Sequence, residues 1–568
     1  MIRARVLACL LFAAILLAAA WPAQAQEEGN TAETVRIAWP QYDGSLTPYT
    51  YDFDRAYPLM TLVYDTLQWR GGGESEWLAR QIRFSEAGTR MTVVLRDGAS
   101  FHDGRPVTAR DVKFSYDYFA ERYQQRFTPQ LEAIESTEVV DDLTVVFNLE
   151  HPSPGIGQPL SDVPILPLHL WEDVPSGQTP PGMPVGSGPY RLVESNPEEG
   201  YVFRANDDYF LGRPRVATLA LPFNRGFDET VRAFLNRDID MIPATLPDSR
   251  QEQVVGPSFE TERGNLYEGT ALMFNLREAP FDSQRARQAV SLALDLRRIA
   301  DNAVGVDELS FAADRGYVHP MSGAATQGQL HRYDLERARA EFAELDLPPI
   351  TVLAPANDPV DNEAGRQVVL ALERAGADVE LQEVSSDELT AAVGAGEGPP
   401  TFEVAIWSIS PLPSYSADTL RQVFGSDERE APLNYMGYSS EEFDDLAEFT
   451  SKETNPEKRL QAIRSELELL AEDAPVVPLF YPEGAFVVNP SIYEGWTYVE
   501  GKGILDKRSF LPRRIRAGDT APDAAAPAAP AGDSGGGIGV GAAIALGLAG
   551  IVLAVILVGV VRRRARGT

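Results

Sequence analysis

Apolar residues alternate with other residues in several short stretches of the chain, and this pattern predicts β-strands. Val35, Ile37 and Trp39 are each separated by one residue, which is the period of a strand with one buried face. Residues 350–381 read as an apolar strand, a helix and a second strand. Because strands that alternate with helices form parallel βαβ units, this stretch predicts a parallel sheet and an α/β fold. Residues 404–407 predict a further short strand.

Two other stretches carry apolar residues three or four positions apart. These positions are Ala289, Leu292, Leu296 and Ile299 in the first stretch, and Leu460, Ile463, Leu467 and Leu470 in the second. Residues at this spacing share one face of a helix, so each stretch predicts a helix that buries that face. Asn455 and Pro456 precede the second stretch and are typical of an N-cap and the first helical position.

Residues 91–119 combine a strand, two tight turns and a helix. The first five residues are rich in β-branched side chains and favour a strand. Two Asp-Gly turns follow, ending at Gly98 and Gly104, and glycine accepts the positive φ of such turns without steric cost. Thr108 and Asp111 then predict a capping box at the start of the helix.

The full pattern of this stretch, L-R-D-G-x-x-F-H-D-G-x-P-V-T-A-x-D-V-x-F-S, resembles the signature of the family 5 extracellular solute-binding proteins. These are the peptide- and nickel-type receptors of ABC importers. Further blocks resemble the family in the same order: V-G-S-G-P-Y at 185–190, F-N-x-x-x-x-P-F at 274–281 and E-D-A-P at 472–475. The resemblance implies an α/β clamshell of the type II periplasmic-binding-protein kind, with two lobes and an additional small domain.

The resemblance also implies where the domains lie. Lobe I would be discontinuous and comprise residues 34–58, 186–268 and 484–513. The additional small domain would comprise residues 59–185, and lobe II residues 269–483. The ligand would bind in the cleft between the lobes.

One helix end departs from the family pattern. The family usually closes the helix near residue 236 with G-x-[IV]-D, and this chain has Arg237 in the place of the glycine. If the backbone there needs a left-handed conformation, we expect the arginine to cost about 1 kcal/mol of stability.

The N-terminus predicts secretion. Residues 1–25 combine a basic start, an apolar run and a small-x-small cleavage site, which is typical of a signal peptide. An uncleaved N-terminal anchor is the alternative, although the run is short for a membrane span. Cys9 is the one cysteine of the chain and lies in this segment. The mature protein would therefore carry no thiol for catalysis or metal binding.

The C-terminus predicts a membrane anchor. Residues 514–537 form an Ala/Pro/Gly linker, and residues 538–561 contain no charge and are long enough to span a bilayer. The tail at 562–568 is rich in arginine, so by the positive-inside rule it stays in the cytoplasm and the main domain lies outside, in a periplasm or at the cell surface. The alternative is a sorting signal that a membrane protease removes.

Charge and motifs exclude several functions. The formal net charge is −33 and the charges are interspersed, so the chain lacks the basic face that nucleic-acid binding needs. The five histidines are scattered without metal-ligand spacing, and the chain has no zinc-protease or serine-hydrolase motif. We therefore expect a binding protein rather than an enzyme, with no cofactor, no metal site and no nucleic-acid partner. The alternative is a binding-fold protein that acts as a ligand sensor or an envelope enzyme.

The candidate ligand site follows the predicted strand at 404–407. Peptide receptors of the family carry W-x-x-D-Y-x-[DE]-P there, and an acid of this segment pairs with the α-amino group of the peptide. Here Trp407 matches, whereas Ser410 stands in the place of the first acid and a proline in that of the second. Since a buried ammonium without a carboxylate is costly, amino-terminal capture should be weakened unless the loop brings Asp418 back.

We therefore expect the ligand to be held by the rings of Trp407 and Tyr415 and by the hydroxyls of Ser408 and Ser410, with Asp418 as a further candidate. The alternative is that Trp407 belongs to the core. A peptide or a neutral oligosaccharide would suit such a site. The expected partners are that small solute, the permease subunits of an ABC transporter and the membrane, and the protein itself is expected to be a monomer.

Overall fold

Four β-sheets and the helices packed on them organise the described part of the chain in a computed structural model. The structure describes residues 31–40, 42, 44–48, 57–69, 75–124, 126–224, 226–242, 259–265, 268–305, 310–395, 398–409, 417–499 and 503–512. Within these ranges, no helix combines the length and the apolar character needed to cross a membrane. The predicted signal peptide, linker, membrane helix and basic tail lie outside the described residues.

The strands are numbered in chain order. They are β1 (Ala32–Arg36), β2 (Gln68–Trp69), β3 (Ser75–Glu76), β4 (Ala79–Phe84), β5 (Arg90–Leu95), β6 (Ile134–Asp141), β7 (Thr144–Leu149), β8 (Tyr190–Asn196), β9 (Gly200–Ala205), β10 (Val216–Pro222), β11 (Met241–Ile242), β12 (Glu260–Asn265), β13 (Gly269–Phe274), β14 (Ser310–Ala312), β15 (Ile350–Pro355), β16 (Val379–Val384), β17 (Val404–Ile409) and β18 (Val476–Val488).

The α-helices are numbered in the same way. They are α1 (Tyr57–Val63), α2 (Ala109–Glu121), α3 (Gly157–Asp162), α4 (Leu168–Trp171), α5 (Phe227–Leu235), α6 (Gln284–Ala293), α7 (Leu296–Ala303), α8 (Leu335–Leu345), α9 (Pro359–Ala375), α10 (Ser386–Val393), α11 (Ala417–Phe424), α12 (Glu441–Lys452) and α13 (Pro456–Asp473).

The small sheet is antiparallel, with strand order β4-β5-β7-β6, and α2 packs on β6 and β7. The predicted strand, turns and helix of residues 91–119 are confirmed. The capping box is present: the Thr108 backbone N–H donates to Asp111 Oδ2 at 2.9 Å. Val112 and Phe119 on α2 are fully buried against the sheet, so local capping and apolar burial favour the same helix.

The first sheet has strand order β1-β10-β9-β8, with β1 parallel to β10 and the other pairs antiparallel. The V-G-S-G-P-Y segment precedes β8 and passes very close to the end of α1. A Cβ atom on Gly186 would lie 2.0 Å from the Val63 carbonyl oxygen, and one on Gly188 would lie 2.3 Å from that of Leu62. Only glycine fits at these two positions, which explains why the motif contains them.

The end of the described chain is fixed to this region by a buried ion pair. Lys507 Nζ lies 2.7 Å from Asp65 Oδ1, and both side chains are fully buried. The ammonium also lies 3.9 Å from the ring centre of Trp69 and 4.7 Å from that of Trp77. Tyr209 donates its hydroxyl to the same carboxylate at 3.0 Å. Burial raises the pKa of Asp65 and lowers the pKa of Lys507, and each charge partly offsets the shift of the other.

The large sheet has strand order β11-β18-β13-β17-β15-β16, with β12 and β14 also paired to β18. β15 is parallel to both β16 and β17, so the βαβ unit predicted for residues 350–381 is confirmed. β18 pairs with β13 and β14 through its first half and with β12 and β11 through its second. This one strand therefore connects β13, on the side of the parallel strands, with β11 and β12, on the side of the first sheet.

Helices cover both faces of the large sheet. Leu272 and Ile406 point into a core shared with α6, α7 and α9. Met273 and Ala405, one position along each strand, point into a second core with α10 to α13. Both faces of β13 and β17 are thus buried, which is typical of strands in a sheet covered by helices on both sides.

The first of the two predicted helical stretches is divided. Residues 289–299 were expected to lie on one helix, but α6 ends at Ala293 and α7 begins at Leu296. Asp295 is the N-cap of α7 and accepts a hydrogen bond from the Arg298 backbone N–H at 3.2 Å. The cap satisfies a backbone N–H at the start of α7, so a new helix can begin there and the chain turns. The apolar positions of both helices stay buried.

Candidate functional site

The carboxyl ends of two parallel strands define one edge of the large sheet. β15 ends at Pro355 and β17 at Ile409 on this edge, and α9 begins shortly after β15 at Pro359. β13 is antiparallel to β17 and therefore starts at the same edge, with Gly269 opposite Ile409. In open α/β sheets, ligands bind in the crevice outside the carboxyl ends of the strands. The candidate site is built from the side chains at this edge.

Trp407 lies near the end of β17 and is half-buried. Its ring is edge-on to that of Tyr435, with the two ring centres 5.9 Å apart. The pair flanks the core that contains Met273 and Ala405. Trp407 thus contributes to packing on one side and leaves part of its surface open, so an aromatic wall is available at the predicted place.

Ser408 is exposed and points to the opposite face of β17. It stands opposite Thr270 of β13, and Thr270 Oγ1 donates to Asp361 Oδ1 at 2.6 Å. Asp361 lies in the first turn of α9, whose N-cap is Asp358. Burial and the Asp358 charge raise the pKa of Asp361 to about 8. The edge of the sheet therefore carries hydroxyls and carboxyls on the face away from Trp407.

The side chains of the other three predicted site residues are not described in the structure. Ser410 and Tyr415 lie outside the described residues. Asp418 lies within α11, but its side chain is not described. The structure therefore places Trp407 and Ser408 on opposite faces of one strand end, and the roles of all five residues stay predictions.

The sequence did not predict several residues that lie in this region. Tyr435 and Thr270 carry no local motif and are recognisable only from strand register and tertiary packing. Asp358 and Asp361 had a local signal, since Asp-Pro directly after an apolar strand is typical of a helix start. That signal places the start of α9 at Pro359, where the structure has it.

The helix that follows β17 contacts the small-sheet region. Arg421 on α11 forms an ion pair with Glu132, which follows the short 3₁₀ turn Thr128–Leu131, with Nη1 and Oε2 3.0 Å apart. Arg421 also pairs with Glu430. Burial lowers the pKa of Arg421, but the charges and hydrogen bonds of Glu132 and Glu430 together raise it above its usual value. The ion pair shows that the helix after β17 lies against the small-sheet region.

Helix-covered sheets with candidate ligand-contacting residues at the carboxyl edge are the architecture expected of a solute-binding clamshell. The chain belongs to the bacterial extracellular solute-binding proteins, family 5, whose model matches residues 75–428. It is similar to the oligopeptide-binding protein AppA of Bacillus subtilis, with 23% identity over 448 residues, covering 74% of this chain and 80% of that protein.

Solved structures have the same fold. AppA from Bacillus subtilis in complex with a nonapeptide matches with a TM-score of 0.75 and 20% identity, covering 85% of this chain and 100% of AppA. NikZ from Campylobacter jejuni in complex with Ni(L-His) matches with a TM-score of 0.74 and 21% identity, again covering 85% of this chain and 100% of the other. The type II clamshell expected from the sequence is therefore confirmed, and its relatives are solute-binding proteins.

Proposed function

We propose that this protein captures a peptide- or oligosaccharide-sized solute in a cleft at the carboxyl edge of the large sheet and delivers it to an ABC import permease. Membership of family 5 supports the role of receptor. The observation that carries the site is the edge itself, where the half-buried Trp407–Tyr435 pair and the Ser408–Thr270 hydroxyls flank the end of β17. Aromatic walls with a few hydrogen-bonding groups are what a small-solute cleft needs.

Calorimetry of the full mature protein would test the ligand class. A library of free peptides and a panel of neutral oligosaccharides are the two probes. We expect Trp407→Ala to weaken binding of the accepted class at least tenfold, while Trp171→Phe, far along the chain in the small-sheet region, should leave it unchanged. Tight peptide binding that is lost in Asp418→Asn would contradict the expected weakening of amino-terminal capture.

Closure of the clamshell follows from this function. The chain passes between the first-sheet and large-sheet regions from β12 to β13 and again within β18, where Gly264 stands opposite Gly484. A solute that contacts both lobes favours the closed population by its differential affinity. Because the mature chain would have no cysteine, Val140→Cys and Glu442→Cys allow specific spin labelling at exposed positions. We expect saturating ligand to shorten the mean distance between the labels, and an unchanged distance would contradict closure.

We further propose that residues 538–561 hold the protein at the membrane, with the main domain extracytoplasmic. Residues 514–537 would act as a tether and raise the effective concentration of the receptor at its permease. Fractionation of cells that carry a tagged chain tests this proposal. Recovery in the membrane fraction is the expected result, and loss of it on deletion of 538–568 is the control. Mature protein without the tail in the medium would favour proteolytic release.

A further inference from the structure

The apolar cores of the described residues form two separate bodies. The small sheet and the first sheet share one core, which contains Phe119 of α2 and Leu219 of β10. The two cores on β13 and β17 contain only residues between Ala271 and Tyr481. Apolar packing therefore holds the small-sheet region to the first-sheet region, and the large-sheet region forms a body of its own.

The Arg421–Glu132 ion pair joins these two bodies. Arg421 lies on α11, where Leu420 and Phe424 are buried in a core of the large-sheet region. Glu132 directly follows Leu131, which is buried in the other body. The proposed closure would act at β18 and at the connection from β12 to β13, and neither residue of the pair lies there. A hinge motion about these segments therefore changes the distance between the two charges.

The turn that presents Glu132 is held in place by a buried polar network. Arg126 Nε lies 2.8 Å from Asp162 Oδ2, and both side chains are buried. Gln130 Nε2, within the 3₁₀ turn, donates to the same carboxylate oxygen at 2.8 Å. Because these contacts lie within the small-sheet region, they fix the backbone next to Glu132 whatever the position of the other body.

Arg421 has a second carboxylate partner in its own body. Its Nη2 pairs with Glu430, which lies nine positions further along the chain, while its Nη1 lies 3.0 Å from Glu132 Oε2. A guanidinium can donate to two carboxylates at once through different nitrogens. Separation of the two bodies would break the contact with Glu132 and leave the contact with Glu430 in place.

We propose that the Arg421–Glu132 ion pair is a closure contact, which forms when the lobes close and stabilises the closed state without touching the solute. Glu430 keeps the guanidinium in position in the open state. Because the side chains of Arg421 and Glu132 are 23% and 56% exposed, the contact should shift the closed-to-open ratio about two- to fivefold, as is typical of exposed ion pairs. This inference rests on the proposed function, since it names a contact that tunes the closure of that receptor.

Electron-resonance distance measurements on the full mature protein test the closure contact without a solute. The spin labels are placed at Val140→Cys and Glu442→Cys, one on each body. The test variant is Glu132→Gln. Glu135→Gln, at an exposed position on β6, is the control for net charge, and Glu430→Gln removes the partner that needs no closure. Each protein is measured in about 0.05 M and about 1 M NaCl, because high salt screens exposed charges.

We expect Glu132→Gln to lower the ratio of short to long label distances about two- to fivefold at low salt. Glu135→Gln should match the wild type, and Glu430→Gln should keep at least the wild-type ratio. The difference between Glu132→Gln and the wild type should disappear at 1 M NaCl. Equal distributions in these two proteins at low salt, a single common distance included, would overturn the closure contact. An equal loss in Glu430→Gln would overturn it as well, because net charge would then explain the shift.

Solute kinetics separate this inference from the receptor function. The probe is whichever free peptide or neutral oligosaccharide of the two panels binds the wild type. We expect Glu132→Gln to release it about two- to fivefold faster at low salt and to bind it at an unchanged rate, because the contact forms only on closure. Unchanged release in Glu132→Gln would overturn the closure contact and leave the receptor function standing. Failure of every probe to bind would overturn the receptor function and the closure contact that rests on it.

Discussion

At the scale of single residues, Arg237 carries a backbone conformation that suits glycine. Its φ is +67°, just after α5, where the family pattern has a glycine. The side chain is exposed, so the arginine gains no packing that would offset the strain. The condition attached to the sequence prediction, that the backbone there is left-handed, is therefore met.

We predict that Arg237→Gly raises the free energy of unfolding by about 1 kcal/mol, because glycine adopts positive φ without a Cβ clash. Arg232→Gly is the matched control. It lies within α5, is also exposed, and should lose about 0.5–1 kcal/mol. Urea denaturation of the three proteins measures the difference, and a destabilised Arg237→Gly would contradict the strain argument.

A second residue-scale prediction concerns pH. The pKa of Asp361 is raised from 3.8 to about 8, because burial and the Asp358 charge disfavour its ionised form. The folded state therefore keeps a proton that the unfolded state loses between these values, and this residue makes stability fall as pH rises from about 4 to about 8. Asp361→Asn should flatten that part of the profile.

Thermal unfolding from pH 5 to 8 checks the Asp361 prediction. Glu380→Gln removes one negative charge from an exposed position on β16 and controls for the net charge of the chain. We expect Glu380→Gln to keep the wild-type slope of stability against pH. A slope that is the same in all three proteins would show that Asp361 ionises freely in the folded state.

At the scale of elements, caps and local pattern predicted several helices and strands. The βαβ unit of residues 350–381, the capping box at Thr108 and the N-cap at Asn455 all occur in the structure. The break between α6 and α7 was missed, because the spacing of apolar positions continues across it. Asp295 is visible in the sequence as a possible N-cap within this apolar pattern. Tertiary packing decides whether the chain turns at such a residue.

Contacts between distant elements could not be predicted. Lys507 and Asp65 are 442 positions apart, and no local pattern joins them. The same holds for the pairing of Trp407 with Tyr435, and of Thr270 with Asp361. The sequence located the strand end that carries the candidate site, whereas the neighbours of that strand end depend on the register and order of the whole sheet.

The buried ion pair allows a prediction at this scale. Lys507→Met leaves the Asp65 carboxylate buried without its cation and should cost about 3–5 kcal/mol of stability. The double variant Asp65→Asn with Lys507→Met should lose clearly less than the sum of the two single variants, because no charge remains buried. Urea unfolding of the four proteins measures this coupling, and additive losses would show that the pair contributes no specific interaction.

At the scale of the whole molecule, β18 is the strand that connects the two parts of the large sheet. It pairs in turn with β13, β14, β12 and β11, and so runs from the middle of the large sheet to β11, which bridges to Ile37 after β1 of the first sheet. The proposed closure would act at this strand and at the neighbouring connection from β12 to β13 together. Lobes joined by two adjacent backbone segments would close as a hinge about them.

The position of Lys507 has a mechanical consequence. The described chain ends at residue 512, five residues after Lys507, and the proposed tether leaves from there. Any pulling force on the tether would enter the folded domain through these residues, first at Phe510, whose carbonyl oxygen accepts a hydrogen bond from the Arg215 backbone N–H at 2.7 Å, and then at the Lys507–Asp65 ion pair. Both contacts hold the end of the chain to the first-sheet region, so a pull from the membrane would act on that region and not across the proposed cleft at the carboxyl edge of the large sheet.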